Sequence, residues 1–213
     1  MCGRFVLVTD FNKISGQFQV RNEAGDFSSN REVFYPGQDV PAVVRQNGQN
    51  HIVFFRWGLI PSWAKDPSIG RKLINARAET VFEKPSFRKA FQKRRCLIVA
   101  DGFYEWQKEE KRKIAWRFFL KSEKPFGMAG LYESWRGAEK QALHTCVILT
   151  TEANLLVRTV HDRMPVIVAE DQWRTWLSEE AADRAALVSL FQPYPAEWMD
   201  CRKELDFDDE RRE

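Results

Sequence analysis

Read for its alternation of apolar and polar positions, the chain gives strands in clusters with helical stretches interspersed irregularly. "HIVFFRWGLIP" (51–61) predicts a strand stopped by Pro61, since proline cannot continue a ladder. "CLIVADGFYEWQK" (96–108), "KIAWRFFLKS" (113–122), "FGMAGLYESWRG" (126–137) and "LHTCVILTTEA" (143–153) read as further strands, with "DRMPVIVA" (162–169) as the last. Helical spacing appears in "FNKISGQFQV" (11–20), in 79–95, in "EANLLVRTVH" (152–161) and in 170–192, which has an acidic first turn. "SSNREVFYPGQDVPAVV" (28–44) is a turn-rich loop entering a strand. "SWAKDPSIGRKLINARAET" (62–80) lacks periodicity and predicts a long exposed loop, a length that compact domains reserve for function or disorder. The order excludes a regular βαβ series. It predicts an α+β chain, a single domain over 1–195 with a mostly antiparallel, barrel-like sheet flanked by helices, followed by an acidic tail over 196–213.

Composition changes this picture in three places. The 8 Trp and 16 Phe exceed what one core needs, so some rings are available for stacking. The formal charge of +3 hides a segregation: residues 69–95 carry many Lys and Arg against two Glu, while the tail holds much of the acid. Clustered base is the footprint that a polyanion requires. The four cysteines are widely spaced, without CxxC or Cys/His metal spacing, and Cys96 and Cys146 fall inside strand-like runs as small buried hydrophobes. No secretory leader and no membrane-length apolar run appear, which predicts a cytoplasmic protein in a reducing compartment. Neither a metal constellation nor a phosphate-cradling glycine loop nor a dinucleotide fingerprint is present, so no cofactor is expected.

The candidate chemistry starts at "MCGRF". Removal of Met1 would leave Cys2 with two nucleophiles on adjacent carbons, an α-amine and a thiol. At pH 7.4 roughly a quarter of such an amine is neutral, against roughly 0.1% of a lysine. The neutral amine forms a Schiff base with a carbonyl, and the sulfur can then close onto the imine carbon as a five-membered thiazolidine. Residue 2 therefore reads as an aldehyde trap. A partner for proton transfer is His161 in "VHDRMP", whereas His51 reads as exposed and His144 as structural. Glu105 in "ADGFYEW" lies between two aromatics, where desolvation would raise its pKa toward neutrality. Asn75 in "INARAET" offers both an amide donor and a carbonyl acceptor.

Five blocks, "MCGRF", "WGLIPSWAKD", "INARAET", "ADGFYEW" and "HDRMP", occur in the order of the SRAP family, whose members are abasic-site processing proteins; the chain resembles that family from residue 1 to about 170. The resemblance implies the SRAP fold and binding of single-stranded DNA that contains an abasic site, whose ring-opened sugar exposes an aldehyde. It implies Cys2 as nucleophile, Asn75 as the orienting group, Glu105 as the proton-handling group at the amine, and His161 in ring opening and reversal. It further implies Arg4, Arg77 and Arg163 as phosphate contacts, and Trp63 and Pro36 as wedges against the flanking bases. An autopeptidase step removing Met1, lyase activity, association with the nucleoid when DNA-bound, a monomeric state and the absence of any membrane partner complete the expectation. Two departures stand out: "VFYPG" replaces the family's usual run before Pro36, and the ending "AEWMDCRKELDFDDERRE" is unlike the family's. The same residues leave two alternatives open. One is a cysteine peptidase using Cys2, His161 and Glu105, and the other is a non-catalytic single-strand DNA-binding module.

Overall fold

The computed structural model describes residues 2–21, 33–109, 112–137, 142–180 and 183–204. Two sheets pack face to face. In the first, β1 (Phe5–Val6) lies between β2 (Val33–Phe34) and β7 (Gly102–Glu109), and β7 pairs on with β8 (Arg112–Leu120) and β13 (Met199–Glu204). In the second, β3 (Asp39–Gln46) is flanked by β4 (Gln49–Trp57) and β6 (Arg95–Ala100), and β6 pairs with β9 (Phe126–Arg136). The long β10 (Ala142–Glu152) pairs antiparallel with β9 and parallel with β4. The ring β3–β4–β10–β9–β6 therefore closes on itself, and closure leaves no free edge among these five strands. This is the barrel-like α+β core that the pattern predicts.

Local chemistry explains where the elements begin and turn. Asp10 caps α1 (Phe11–Gln17) by accepting from the Lys13 amide at 3.1 Å. The β3–β4 hairpin turns on Asn47 and Gly48, both at positive φ (51° and 75°), as a two-residue turn that matches strand twist requires. Between the sheets the rings of Phe5 and Phe34 stack at 5.0 Å, those of Phe103 and Phe118 at 5.3 Å, and Phe5 meets Trp57 at 5.4 Å. Each pair is a cross-strand or cross-sheet contact, so aromatic burial sets the registers as well as filling the core.

Several sequence expectations need correction. β4 stops at Trp57 and not at Pro61, because Gly58 takes φ +130° and turns the chain. Gly58 and Gly70 meet backbone to backbone: a Cβ on either would come within 2.8 Å of the other's carbonyl. The stretch 62–80 is no plain loop. It holds a 3-10 turn (Pro67–Lys72), the short β5 (Asn75–Arg77) paired parallel with β10, and a second 3-10 turn (Ala78–Thr80). In 79–95 the α-helix is only α2 (Arg88–Lys93), and 152–161 yields a single 3-10 turn at Val157–Thr159. The long helix expected over 170–192 is broken into α3 (Trp173–Trp176) and α4 (Arg184–Val188), with 3-10 turns. The segment 162–169 forms β11 (Arg163–Pro165) and β12 (Ile167–Val168), but it is not the last strand. β13 follows, in register with β8 from Met199↔Leu120 to Glu204↔Ala115, so residues 196–204 belong to the folded domain and not to a tail beyond residue 195. Residues 28–32 of the predicted turn-rich loop and the tail over 205–213 lie outside the described residues.

Candidate active site around Cys2

The extended residues before β1 carry Cys2 into the core. β1 is tied to β7 by Tyr104 N–H donating to the Arg4 carbonyl at 3.0 Å and Asp101 N–H to the Val6 carbonyl at 2.8 Å. Asp101 in turn accepts from the amides of Val8 and Thr9 and from the Thr9 hydroxyl, which fixes the exit of β1. With both ends held, Cys2 is fully buried, and its Sγ faces the Arg4 carbonyl at 3.8 Å. Burial pushes its thiol far above the ordinary range, and the negative charge of Glu105 pushes in the same direction.

Asn75 reaches Cys2 from the other sheet. Its Nδ2 donates to the Cys2 carbonyl at 2.7 Å. β5 delivers it there because Ile148 pairs with Asn75, and the Ile74 carbonyl accepts both Trp57 Nε1–H at 2.8 Å and Ile148 N–H at 3.2 Å. Asn75 Oδ1 is buried without a hydrogen-bond partner among the described residues, which leaves an acceptor to offer. Glu105 is 2% exposed on β7. Burial raises its pKa above the usual carboxylate range, and the pull of neighbouring His161 opposes the rise only in part. His161 lies on the turn between β10 and β11. Its Nδ1 accepts the Arg163 backbone N–H at 2.9 Å and also lies 3.0 Å from Asp162 Oδ1. The backbone N–H is a fixed donor, so Nδ1 acts as the acceptor and the neutral ring carries its proton on Nε2. Cys2, Asn75, Glu105 and His161, spread over most of the chain, thus form one neighbourhood.

The residues expected to contact DNA are more scattered. Arg4 is 8% exposed, with its guanidinium between the rings of Tyr35 (4.5 Å) and Trp106 (4.8 Å). Arg77 is exposed at the end of β5. Arg163 donates to both carboxylate oxygens of Glu79, at 2.6 and 2.9 Å, and to the Thr150 carbonyl. Trp63 is 56% exposed, and half-buried Pro36 lines a cleft of about 530 Å³ whose floor is formed by Gly58 and Ile74. Sequence reading passed over Glu79, Tyr35 and Trp106. Glu79 was within view, two residues from the predicted phosphate contact Arg77, but its partner is 84 residues away. His144 is exposed and half-buried His51 lies in β4, both apart from this neighbourhood by strand position. Among the described residues there is no cluster of three or more His, Cys, Asp or Glu that could hold a metal, and no helix long and apolar enough to cross a membrane.

A barrel of this topology with an asparagine, a glutamate and a histidine gathered at residue 2 defines a class. The profile of the family described as SOS response associated peptidase (SRAP) matches residues 1–204, and the chain belongs to that family. Abasic site processing protein YoqW of Bacillus subtilis (strain 168) is 45% identical over 203 residues, covering 94% of this chain and 90% of that protein. Abasic site processing protein HMCES of Xenopus tropicalis is 32% identical over 161 residues, covering 65% of this chain and 48% of its own length. A crystal structure of a protein from Bacteroides thetaiotaomicron superposes with a TM-score of 0.89 at 27% identity, covering 96% of this chain and 93% of that one.

Proposed function

We propose that this chain captures abasic sites in single-stranded DNA by forming a thiazolidine at Cys2. The observation that carries the reading is the hydrogen bond from Asn75 Nδ2 to the Cys2 carbonyl, which pins the residue bearing both nucleophiles next to Glu105. The names of the related abasic site processing proteins supply the class of substrate.

The reaction begins once Met1 has been removed. The neutral Cys2 amine attacks C1′ of the ring-opened sugar, the C–N bond forms, and the carbonyl oxygen takes up a proton. His161, with its proton on Nε2, assists ring opening. Glu105, whose pKa is raised by burial, donates to the departing hydroxyl as water leaves and the C=N bond forms. Sulfur then adds to the imine carbon, and the thiol proton ends on the ring nitrogen. One aldehyde and one aminothiol give one thiazolidine and one water, with no oxidant or reductant. Asn75 Oδ1 accepts from the amine or from a sugar hydroxyl.

The raised thiol pKa supports this order over a cysteine peptidase. A peptidase needs a thiolate at the outset, and a thiol held neutral by burial is a poor first nucleophile. Here sulfur acts second, on an activated imine. Exposed Arg77 meets a backbone phosphate directly, Arg163 does so from its pairing with Glu79, and Arg4 from between its two rings. Trp63 and Pro36 press against the bases that flank the lesion.

The test is incubation with an abasic oligonucleotide, then denaturing electrophoresis and intact mass. The wild-type adduct should equal the sum of the partners less one water. Cys2→Ala should give no heat-stable adduct, yet its residual amine should still be trapped by borohydride. A heat-stable adduct from Cys2→Ala would sink the reading.

A further inference from the structure

A second cleft, of about 370 Å³, opens between α2, α4 and the residues that follow β5. That volume lies within the range of small-ligand pockets, roughly 300–1,000 Å³. Its floor is apolar: Phe91 and Leu187 are buried, and half-buried Phe82 meets Phe91 at 6.2 Å. Its rim is basic, with exposed Arg88, Lys93 and Arg184, none of which forms an ion pair among the described residues. The Arg184 guanidinium lies over the Phe82 ring at 3.7 Å, a flat cationic platform. The acid in the lining is Glu179, whose two oxygens are taken by the amides of Asn47 at 3.0 Å and Gly48 at 2.8 Å in the β3–β4 turn. Glu179 offsets one of the three positive charges of the rim and leaves the cleft net positive.

We propose that this cleft is a second nucleic-acid subsite, which takes a nucleotide of the captured strand beyond the lesion. A base stacks on the Arg184–Phe82 platform, and the adjoining phosphates meet Arg88 and Lys93. The inference rests on the DNA-binding reading above, and chain length connects the two sites. Phe82 is five positions beyond Arg77 in the chain, so their Cα atoms lie at most about 18 Å apart. A strand leaving the reactive corner over Arg77 meets the cleft within a few nucleotides. An acidic peptide would suit the cations but would leave the flat platform unused, so a nucleotide is the better fit.

Fluorescence anisotropy of undamaged oligonucleotides on the Cys2→Ala chain separates this subsite from the covalent chemistry. Over a KCl series, Arg88→Ala/Lys93→Ala/Arg184→Ala should bind a 12-nucleotide strand about tenfold more weakly than its parent. The slope of log K against log salt should flatten by about 1.4, since the two phosphate contacts at Arg88 and Lys93 are lost and each on a single strand is worth about 0.7. A 4-nucleotide strand, too short to bridge both sites, should show a much smaller loss. Phe82→Leu keeps an apolar side chain but removes the ring, and should weaken the 12-nucleotide strand severalfold without changing the slope, and Arg174→Ala, exposed on α3, should match the parent. Equal slopes for parent and triple variant would overturn the proposal, as would equal losses on both strands. It would also be overturned if an aspartate-rich, phenylalanine-containing peptide or free dAMP were displaced from the cleft by these substitutions while strand binding stayed unchanged. Failure of cross-linking by wild type with this salt effect intact would count against the thiazolidine reading alone.

Discussion

Cys2 and Cys96 are both sealed from solvent, and burial drives both thiols up. Their surroundings differ. Cys96 sits in the barrel wall on β6, where its sulfur fits against Gly130 of β9; a Cβ at that glycine would come within 2.9 Å of Sγ. The Cys96 carbonyl is occupied by Trp176 Nε1–H at 2.8 Å, and burial alone accounts for its raised thiol pKa. Cys2 has an amide on its carbonyl, a buried carboxyl beside it and an imidazole near that carboxyl. Two equally buried cysteines thus sit in an apolar packing environment and in a polar one. Exposure and thiol pKa do not separate them, but the polar groups around each do.

The strongest way to break that comparison is to remove the acid from the Cys2 corner. Glu105→Gln should slow adduct formation about 100-fold, the scale of a general acid–base contribution. The pH profile gives the sign. The neutral amine increases as pH rises through roughly 7.7–8.0, whereas Glu105, raised by burial, stays a proton donor at low pH and loses that role as pH climbs through its elevated pKa. Wild type should therefore show a bell, and the Gln variant should keep the rising limb and lose the falling one. An unchanged bell would remove Glu105 from the proton transfers. Cys96 gives the converse case. Gly130→Ala should destabilise the fold by about 1–3 kcal/mol through overpacking, read by denaturant melts, with adduct yield unchanged at temperatures where the variant is folded. The smallest effect is expected at Glu79, whose pair with Arg163 is half-exposed on the carboxylate side. Glu79→Gln should cost no more than about 1 kcal/mol of stability. Because it releases the Arg163 charge, single-strand affinity should rise modestly at low salt. Weaker binding would show that the pair orients Arg163 and does not merely compete for it.

The long strands of both sheets were legible because their alternation is local, and the Asn-Gly hairpin because its turn chemistry is. β5 was not. Three residues that include Asn75 and Arg77 have no strand propensity to speak of, and they are extended because β10 accepts them in parallel register. β13 was hidden for a different reason: "MDCRKE" carries four charges in six residues, as suits an edge strand protected from further pairing, and that composition reads as tail. The 170–192 stretch has helical spacing throughout, and that spacing is realised in α3, whose Trp173 and Trp176 share one buried face, and in α4, but not as one continuous helix. At the site, Cys2, Asn75, Glu105 and His161 were singled out from their chemistry and their motifs, and the fold brings them together. Only the fold shows that Arg163 is spoken for by Glu79 and that Arg4 is held between two rings, since both facts depend on partners distant in sequence.

β10 is the rail on which the reactive corner is assembled. It receives β5, and with it Asn75, along one stretch, and β11, which follows His161, along another. During synthesis the first residue leaves the ribosome long before either stretch of that rail exists. A nascent chain trimmed at Met1 therefore carries a bare aminothiol that must wait for residues 142–165 before gaining its orienting amide and its imidazole. The corner around residue 2 is in this way absent from fragments and complete only in finished molecules.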